Sequence, residues 1–271
     1  MTARFTATGH SGLSEPTSGC GLTAEREIMS IEELEDLVKP LLRTATKFEP
    51  HADVTESAAS IHSKFGGAPY AEAGDGWPVC TGCGDELTFI VQLEEASTSS
   101  LHVLFYCFEC FPWCTTRDER GQWEIRSYGA PSLDQCIAIE RGSTSEMDVT
   151  PCVVSESEVH VLPSWDGIHT ASAAASDQSS ALNPEEPWEP YTSVVKRLGC
   201  LDDYATILGG YARFVQGEAD PACLICGEAM MFFAQIDSED QADLMWGDVG
   251  LIYLFRCAQH PSEFHLGLQC H

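Results

Sequence analysis

Two stretches of this chain carry the same pattern. Residues 77–93 read WPVCTGCGDELTFIVQL and residues 220–236 read DPACLICGEAMMFFAQI. Each has C-x-x-C-G, a short apolar run and a Gln, and the two lie 143 positions apart. A C-x-x-C turn aims two thiolates and nearby backbone N–H groups at one point. A second pair of ligands arriving from the next strand closes a tetrahedron. The Gly after the second Cys supplies the positive φ that such turns need. A fold built on this pattern must place two such turns at the starts of two similar strands.

The second pair of ligands is present in both cases. Cys107 and Cys110 follow the strand-like LHVLFYC, so Cys80, Cys83, Cys107 and Cys110 form an all-cysteine set at roughly the spacing of a zinc ribbon. Cys257 and His260 in FRCAQHP stand in the matching place, so Cys223, Cys226, Cys257 and His260 form a set of three cysteines and one histidine. A His at a position matching a Cys favours metal over disulfide, because His makes no disulfide. Four protein ligands leave no open position, the mark of structural rather than catalytic Zn2+. Cys114, Cys270 and His271 are the alternative ligands. Cys136, Cys152 and Cys200 read as buried small hydrophobes and Cys20 as an exposed thiol.

The echo continues beyond the cysteines. SKFGGAPYAEAG returns as ILGGYARFVQG, and SLHVLFYC as GLIYLFRC, in the same order. The expected fold is α+β, mainly antiparallel β, with two related, duplicated β-rich lobes, an N-terminal helix and two zinc knuckles. The expected organisation is a flexible extension over 1–28, with Met29 a second possible start, and a first lobe over 29–140. A partly ordered Ser/Ala/Glu-rich connection follows over 141–190, flexible after about residue 168, and then a second lobe over 191–271.

Ser30 to Lys47 reads as a helix opened by a Ser30/Glu33 capping box, with Pro40 as a kink or early stop. Strands are expected at 86–93, 101–107 and 122–128, with VHVLPSW as a further ordered strand. YTSVVKRLGCL reads as a short helix that ends near Gly199.

Charge narrows the function classes. Lys plus Arg total 14 against 42 Asp plus Glu, a net charge of −28. Phosphate backbones and anionic membranes are recognised through Lys and Arg, so neither a nucleic acid nor a membrane is an expected partner. A basic protein or peptide client is. There is no apolar segment of secretory or membrane-spanning length, and the cysteine pattern suits a reducing, cytoplasmic setting.

At SKFGGAP, LTFIVQL, LGGYARFVQG, FFAQIDS and MWGDVGLIYLF, the chain resembles the YwqG-like family, a bacterial family of unknown function. The resemblance runs from about Ile61 to Cys270 and implies an α+β fold rich in antiparallel sheet, without a settled activity. The cysteine pairs depart from the simplest members of that family. In them, and in the GG-x-P turn, the chain is similar to the programmed-cell-death-2 family. That similarity implies a chaperone of a basic ribosomal protein.

The leading expectation is a non-enzymatic, zinc-stabilised protein-binding or chaperone-like module for a basic client. One alternative is an immunity or antitoxin-type inhibitor of a basic toxin. Another is a hydrolase using the acidic loop that holds Asp237, Glu239, Asp240, Asp243 and Asp248, with Asp237 and Asp248 as acid and base. His265 and His271 are weaker candidate bases. No nucleophile elbow, phosphate loop or dinucleotide fingerprint occurs. The Gly66-Gly67 and Gly209-Gly210 turns suggest a groove for an extended peptide added as a strand.

Overall fold

The computed structural model describes residues 31–51, 58–116, 119–142 and 147–271. The expected extension, Met29, Cys20 and the Ser30 cap lie outside these residues. The first element is a helix, α1, over residues 31–38. It is shorter than the sequence pattern suggests. Pro40 has no N–H to continue the ladder, so the chain tightens into a 3-10 turn, Lys39–Leu41, and leaves as a strand. The stretch after Leu42, expected as helix, is strand β1, Arg43–His51.

All ten strands of the described residues join one antiparallel sheet. They are β1, β2 (Lys64–Phe65), β3 (Thr88–Glu95), β4 (Ser100–Tyr106), β5 (Trp123–Gly129), β6 (Cys152–Val161), β7 (Thr206–Gly209), β8 (Met231–Asp237), β9 (Leu251–Arg256) and β10 (Phe264–Gln269). The order is β10-β9-β8-β7-β1-β6-β2-β3-β4-β5. The long pair β1 and β6, matched from Arg43/Val161 to His51/Val153, is the spine. From it β2 to β5 run outward on one side and β7 to β10 on the other.

The sheet curls until its ends nearly meet. Trp113 and Thr115, between β4 and β5, bond to β10: Leu268 N–H donates to the Trp113 carbonyl at 2.7 Å, and Thr115 Oγ1 donates to the Leu266 carbonyl at 3.2 Å. The interior is one apolar core fed from both sides, with Phe48, Ile90, Leu104 and Tyr106 against Phe233, Trp246, Leu254 and Leu266. Alternation explains the unbroken apolar runs. On β4, Leu104 and Tyr106 face this core while Leu101, Val103 and Phe105 face a second cluster outside. On β9, Ile252 and Leu254 face in while Leu251, Tyr253 and Phe255 face out. Strands buried on both faces lose the polar alternation of a half-exposed sheet.

The segment 141–190 corrects the expectation of a connection. It supplies the central strand β6 and helices α2 (Trp165–Ala171) and α3 (Ala173–Leu182), with α4 (Trp188–Arg197) close behind. The Ser/Ala tract orders because its serines cap. Ser164 Oγ accepts from Gly167 N–H and Ser172 Oγ from Ala175 N–H. Ile168, Ala175, Tyr191, Val194 and Val195 then pack on Leu34 and Val38 of α1. None of the helices described is long and apolar enough to cross a membrane.

The bonding on the two sides of the spine recurs. Gln92 Oε1 accepts from Tyr70 N–H at 3.0 Å, and Gln235 Oε1 accepts from Arg213 N–H at 2.9 Å. Ser63 Oγ accepts from Glu94 N–H, and Thr206 Oγ1 from Asp237 N–H. Register shifts fall at Phe89/Val91 in β3 and at Phe232/Ala234 in β8. Each of these partners lies 143 positions from its counterpart.

Candidate metal centres

Each C-x-x-C-G turn is built by its own backbone. Cys80 N–H donates to the Asp85 carbonyl and Gly84 N–H to the Cys80 carbonyl, at 2.7 and 3.0 Å. Cys223 N–H donates to the Glu228 carbonyl and Gly227 N–H to the Cys223 carbonyl, both at 2.8 Å. Gly84 and Gly227 hold φ of +85° and +76°, which a side chain would strain. The turns run into β3 and β8. The partner residues leave the ends of β4 and β9.

The structure brings the eight expected residues into two groups. In each group the candidate ligand atoms all lie within 4.8 Å of one another. In the first, the sulfurs of Cys80 and Cys110 are 3.6 Å apart, as are those of Cys83 and Cys107. In the second, Cys226 and Cys257 sulfurs are 3.7 Å apart, and His260 Nδ1 is 3.8 Å from Cys223 Sγ and 3.6 Å from Cys257 Sγ. A bonded disulfide would bring sulfurs to about 2.05 Å. A tetrahedron with Zn–S of about 2.3 Å has edges of about 3.8 Å. The donor sets therefore fit a four-coordinate soft metal ion.

The electrostatics agree with that fit. At Cys80 burial opposes ionisation, but the N–H groups of Cys83 and Gly82 outweigh it and pull the thiol below its ordinary range. At Cys223 the N–H groups of Cys226 and Ile225 hold the thiol down at about 6. The neighbours move the other way. Burial pushes Cys107 well up and Cys110 up to about 11, with the adjoining thiols adding to the rise. Each turn is poised to form one thiolate, and full ionisation of the set needs a cation at its centre.

Residues 63–259 match the family model of DUF1963, a domain of unknown function. The chain belongs to this family. No curated protein matches it. Both cysteine turns of this DUF1963 member fall within the matched residues, and so do Cys257 and the central strand β6.

The alternative ligands sit elsewhere. Cys114 Sγ points to Glu119 at 3.5 Å, and Cys270 lies against Gly247. His271 packs on Tyr204. Cys152 and Cys200 are buried as expected, and Cys136 is half-buried. In the acidic loop, burial raises the carboxyl of Asp237 to about 6 and that of Glu239 to about 7. Asp248 is exposed one turn later, and among the described residues no hydrogen bond joins it to Asp237. His265 is half-buried beside Phe255, and burial lowers its pKa.

The GG turns correct one expectation. β2 is bonded on both sides, to β3 and β6, and β7 lies between β1 and β8. Neither offers an open edge for strand addition. Each turn instead borders a shallow groove, of about 390 Å³ beside Gly67 with Trp77 and Phe89, and about 230 Å³ beside Gly210 with Tyr211 and Phe232.

One polar cluster escaped sequence reasoning. His102, on β4, contacts Glu95 at 3.0 Å through Nε2 and Ser127 at 2.9 Å through Nδ1. Arg256 of β9 reaches the same Glu95 carboxylate at 3.3 Å. Burial lowers the pKa of His102. The cluster pins the two ends of the curled sheet together. Nothing in the string LHVLFY signals it, because Glu95, Ser127 and Arg256 meet only when β3, β4, β5 and β9 come together.

Proposed function

We propose that the chain is a non-enzymatic protein-binding or chaperone-like module for a basic client, stapled by two structural Zn2+ ions. The observation that carries this reading is the convergence of four protein donors in each cluster. Such a set leaves no position for water or substrate, which is the difference between structural and catalytic zinc. Thiolate and imidazole donors suit zinc over harder cations. When bound, zinc would neutralise the thiolates and tie each turn to the end of the neighbouring strand. Cys80, Cys83, Cys107 and Cys110 would hold one ion; Cys223, Cys226, Cys257 and His260 would hold the other.

The client reading rests on charge and resemblance. A net charge of −28 steers basic partners toward the surface. The cysteine pairs are similar to those of the programmed-cell-death-2 family, and the wider pattern is YwqG-like. The recurrence of the same bonds at one spacing supports reading the two sides as copies of one ancestral unit. A reducing, cytoplasmic setting suits the free thiols.

The test has two parts. Elemental analysis on protein purified under reducing conditions is expected to find about two zincs per chain, with structure lost on chelation. Purified basic ribosomal proteins are then titrated with the chain, and their binding and aggregation are followed at low and moderate salt. Stoichiometric binding with suppressed aggregation supports the module. Zinc without any such binding removes the client and leaves only the staples.

A further inference from the structure

The two cysteine turns differ at their tips. In the first the residues between the cysteines are Thr81 and Gly82. A piece of the chain's own β4–β5 connection lies across them. Thr81 N–H donates to the Gly121 carbonyl at 2.9 Å, and Thr81 Oγ1 to the Arg120 carbonyl at 2.8 Å. A Cβ on Gly82 would stand 3.1 Å from Gln122 Nε2 and closer still to Cys110 Sγ. Backbone carbonyls of a turn thus lie along one side of the first tip, a partial roof that leaves Thr81 and Gly82 exposed.

The second tip has no such roof among the described residues. Its connection, residues 257–263, is much shorter than residues 107–122 and does not return across the turn. The tip residues are Leu224 and Ile225, 41% and 58% exposed. Met231, in the place of the 4%-exposed Thr88, is 56% exposed. All three positions are larger and more apolar than their counterparts. Leu224 N–H, which corresponds to the bonded N–H of Thr81, has no hydrogen-bond partner among the described residues. The charge along this stretch of chain is one-sided. From residue 214 to 255 the chain has eight acidic residues and no Lys, Arg or His. Glu218, Asp220 and Glu228 are exposed beside the turn.

We propose that the second cysteine turn is the client-contact surface, covered by a segment of a basic polypeptide that bonds to its tip as Arg120 and Gly121 bond to Thr81 of the first. This rests on the basic-client reading above. A backbone carbonyl of the client accepts from Leu224 N–H. Its apolar side chains cover Leu224, Ile225 and Met231, while its Lys or Arg side chains meet Glu218, Asp220 and Glu228. Apolar anchors fix the segment, and the acidic rim selects its charge and speeds encounter.

The test uses the full chain and three labelled dodecapeptides, one alternating Lys with Val, one Glu with Val and one Ser with Val, read by fluorescence anisotropy. The variant Leu224→Thr/Ile225→Gly gives the second tip the residues that the first already carries, so the turn tolerates them. Met231→Thr is the second variant. Metal content and melting are measured on both. The expected result is binding of the Lys–Val peptide, at least tenfold weaker binding by the tip variant with metal content unchanged, and no binding of the Glu–Val peptide. Equal binding of the Lys–Val peptide by parent and variants would overturn the tip while leaving a basic client. No binding of that peptide by the parent would overturn both. Equal binding of the Lys–Val and Ser–Val peptides would overturn the charge selection. A parent that sediments as a dimer, and a tip variant that does not, would assign the surface to a second copy and overturn the client assignment.

Discussion

The two cysteine clusters start from the same turn and end in different surroundings. The first has four cysteines, is bonded at its tip by the Arg120 and Gly121 carbonyls and sits against the apolar cluster of Tyr70, Phe89, Leu101 and Phe105. The second replaces one cysteine by histidine and is bare at the tip, on a thinner cluster of Ala212, Leu251, Tyr253 and Phe255. The hydrogen bonds that shape each turn are the same, so the local sequence determines the turn. The length of the connection to the next strand determines whether the chain returns to bond its tip; the tip residues themselves are exposed in both turns. In the first half the connection is long enough to return. In the second it is not, and an apolar tip is left exposed.

The largest test of that contrast removes one buried ligand from each side. Cys107→Ala and Cys257→Ala should each lose about one metal equivalent by elemental analysis. Structural zinc contributes on the order of 10 kcal/mol of apparent binding energy in small domains, and part of this is returned by local unfolding. We expect Tm to fall on the order of 10 °C or more for Cys107→Ala, because its cluster also anchors the partial roof and packs into the apolar cluster of Tyr70, Phe89, Leu101 and Phe105. Cys257→Ala should fall by visibly less. Equal shifts would mean that the roof adds nothing, and the surroundings of the two clusters would then be energetically the same.

A second comparison uses the paired glutamines, both fully buried. Gln92 accepts from Tyr70 N–H and donates to the Ser60 and His62 carbonyls. Gln235 accepts from Arg213 N–H and donates to the Ala205 carbonyl. Leu fills a similar volume but leaves those backbone groups unpaired. Gln92→Leu should cost about 3 kcal/mol in urea unfolding and Gln235→Leu about 2, since each orphaned buried group costs roughly 1–3 kcal/mol. A reversed order would show that the extra bond of Gln92 is idle.

These glutamines also show what could be read from sequence. C-x-x-C-G, the run after it and the Gln were visible as a repeated pattern, and so were the eight ligands, because their chemistry depends on short spacing. Most of the spine was not visible. β1 begins inside the stretch expected as one helix to Lys47, just after its apolar face of Leu34, Leu37, Val38, Leu41 and Leu42 ends, and only the position of Pro40 hints at the break. β6 lies inside a stretch whose Ser, Glu and Thr content reads as linker, and only its last residues, 159–161, fall within the expected strand VHVLPSW. Its charged residues are carried on a strand that bonds to β1 along its length. Backbone pairing at the centre of a sheet leaves little trace in composition when the side chains stay partly exposed. Helices α2 and α3 were missed for a related reason, whereas α4 falls on the expected YTSVVKRLGCL helix: α3 has few large apolar residues, and its order comes from its serine cap and from packing on α1.

The acidic loop gives a pH-dependent test. Thr206 Oγ1 donates to Glu239, as Ser63 Oγ donates to Glu156 on the other side of the spine. Burial holds the Glu239 carboxyl at about 7 against an ordinary 4.5, so the folded protein keeps a proton there that the unfolded chain releases. The favourable share is present below about pH 4.5 and is lost as pH rises through 7. Glu239→Gln keeps the uncharged form at all pH. It should match the parent near pH 4.5 and exceed it at pH 8, by on the order of 1–2 kcal/mol after allowance for partial solvent access. Urea unfolding at the two pH values reads this directly. An equal effect at both would show that the carboxylate is solvated and that the two hydroxyl–carboxylate pairs are alike.

The smallest expected effect concerns an ion pair that bridges the two clusters. Arg120, whose carbonyl helps to roof the first tip, pairs with Glu263 in the second. Glu263 N–H in turn donates to the His260 carbonyl at 2.8 Å, and its own carbonyl accepts from Cys257 N–H at 3.1 Å. The pair is geometrically placed to couple the two sites, yet Arg120 is 46% exposed along its side chain and the pair is open to screening by salt. Exposed pairs of this kind contribute roughly 0.2–1 kcal/mol. Arg120→Ala should therefore lower stability by less than about 1 kcal/mol, with the difference shrinking at about 0.5 M salt and metal content unchanged. A loss of several kcal/mol, or release of metal from the second cluster, would show that the roof over the first tip is held in place from the second half. The bare tip would then belong to one coupled unit, and its exposure could no longer be attributed to connection length alone.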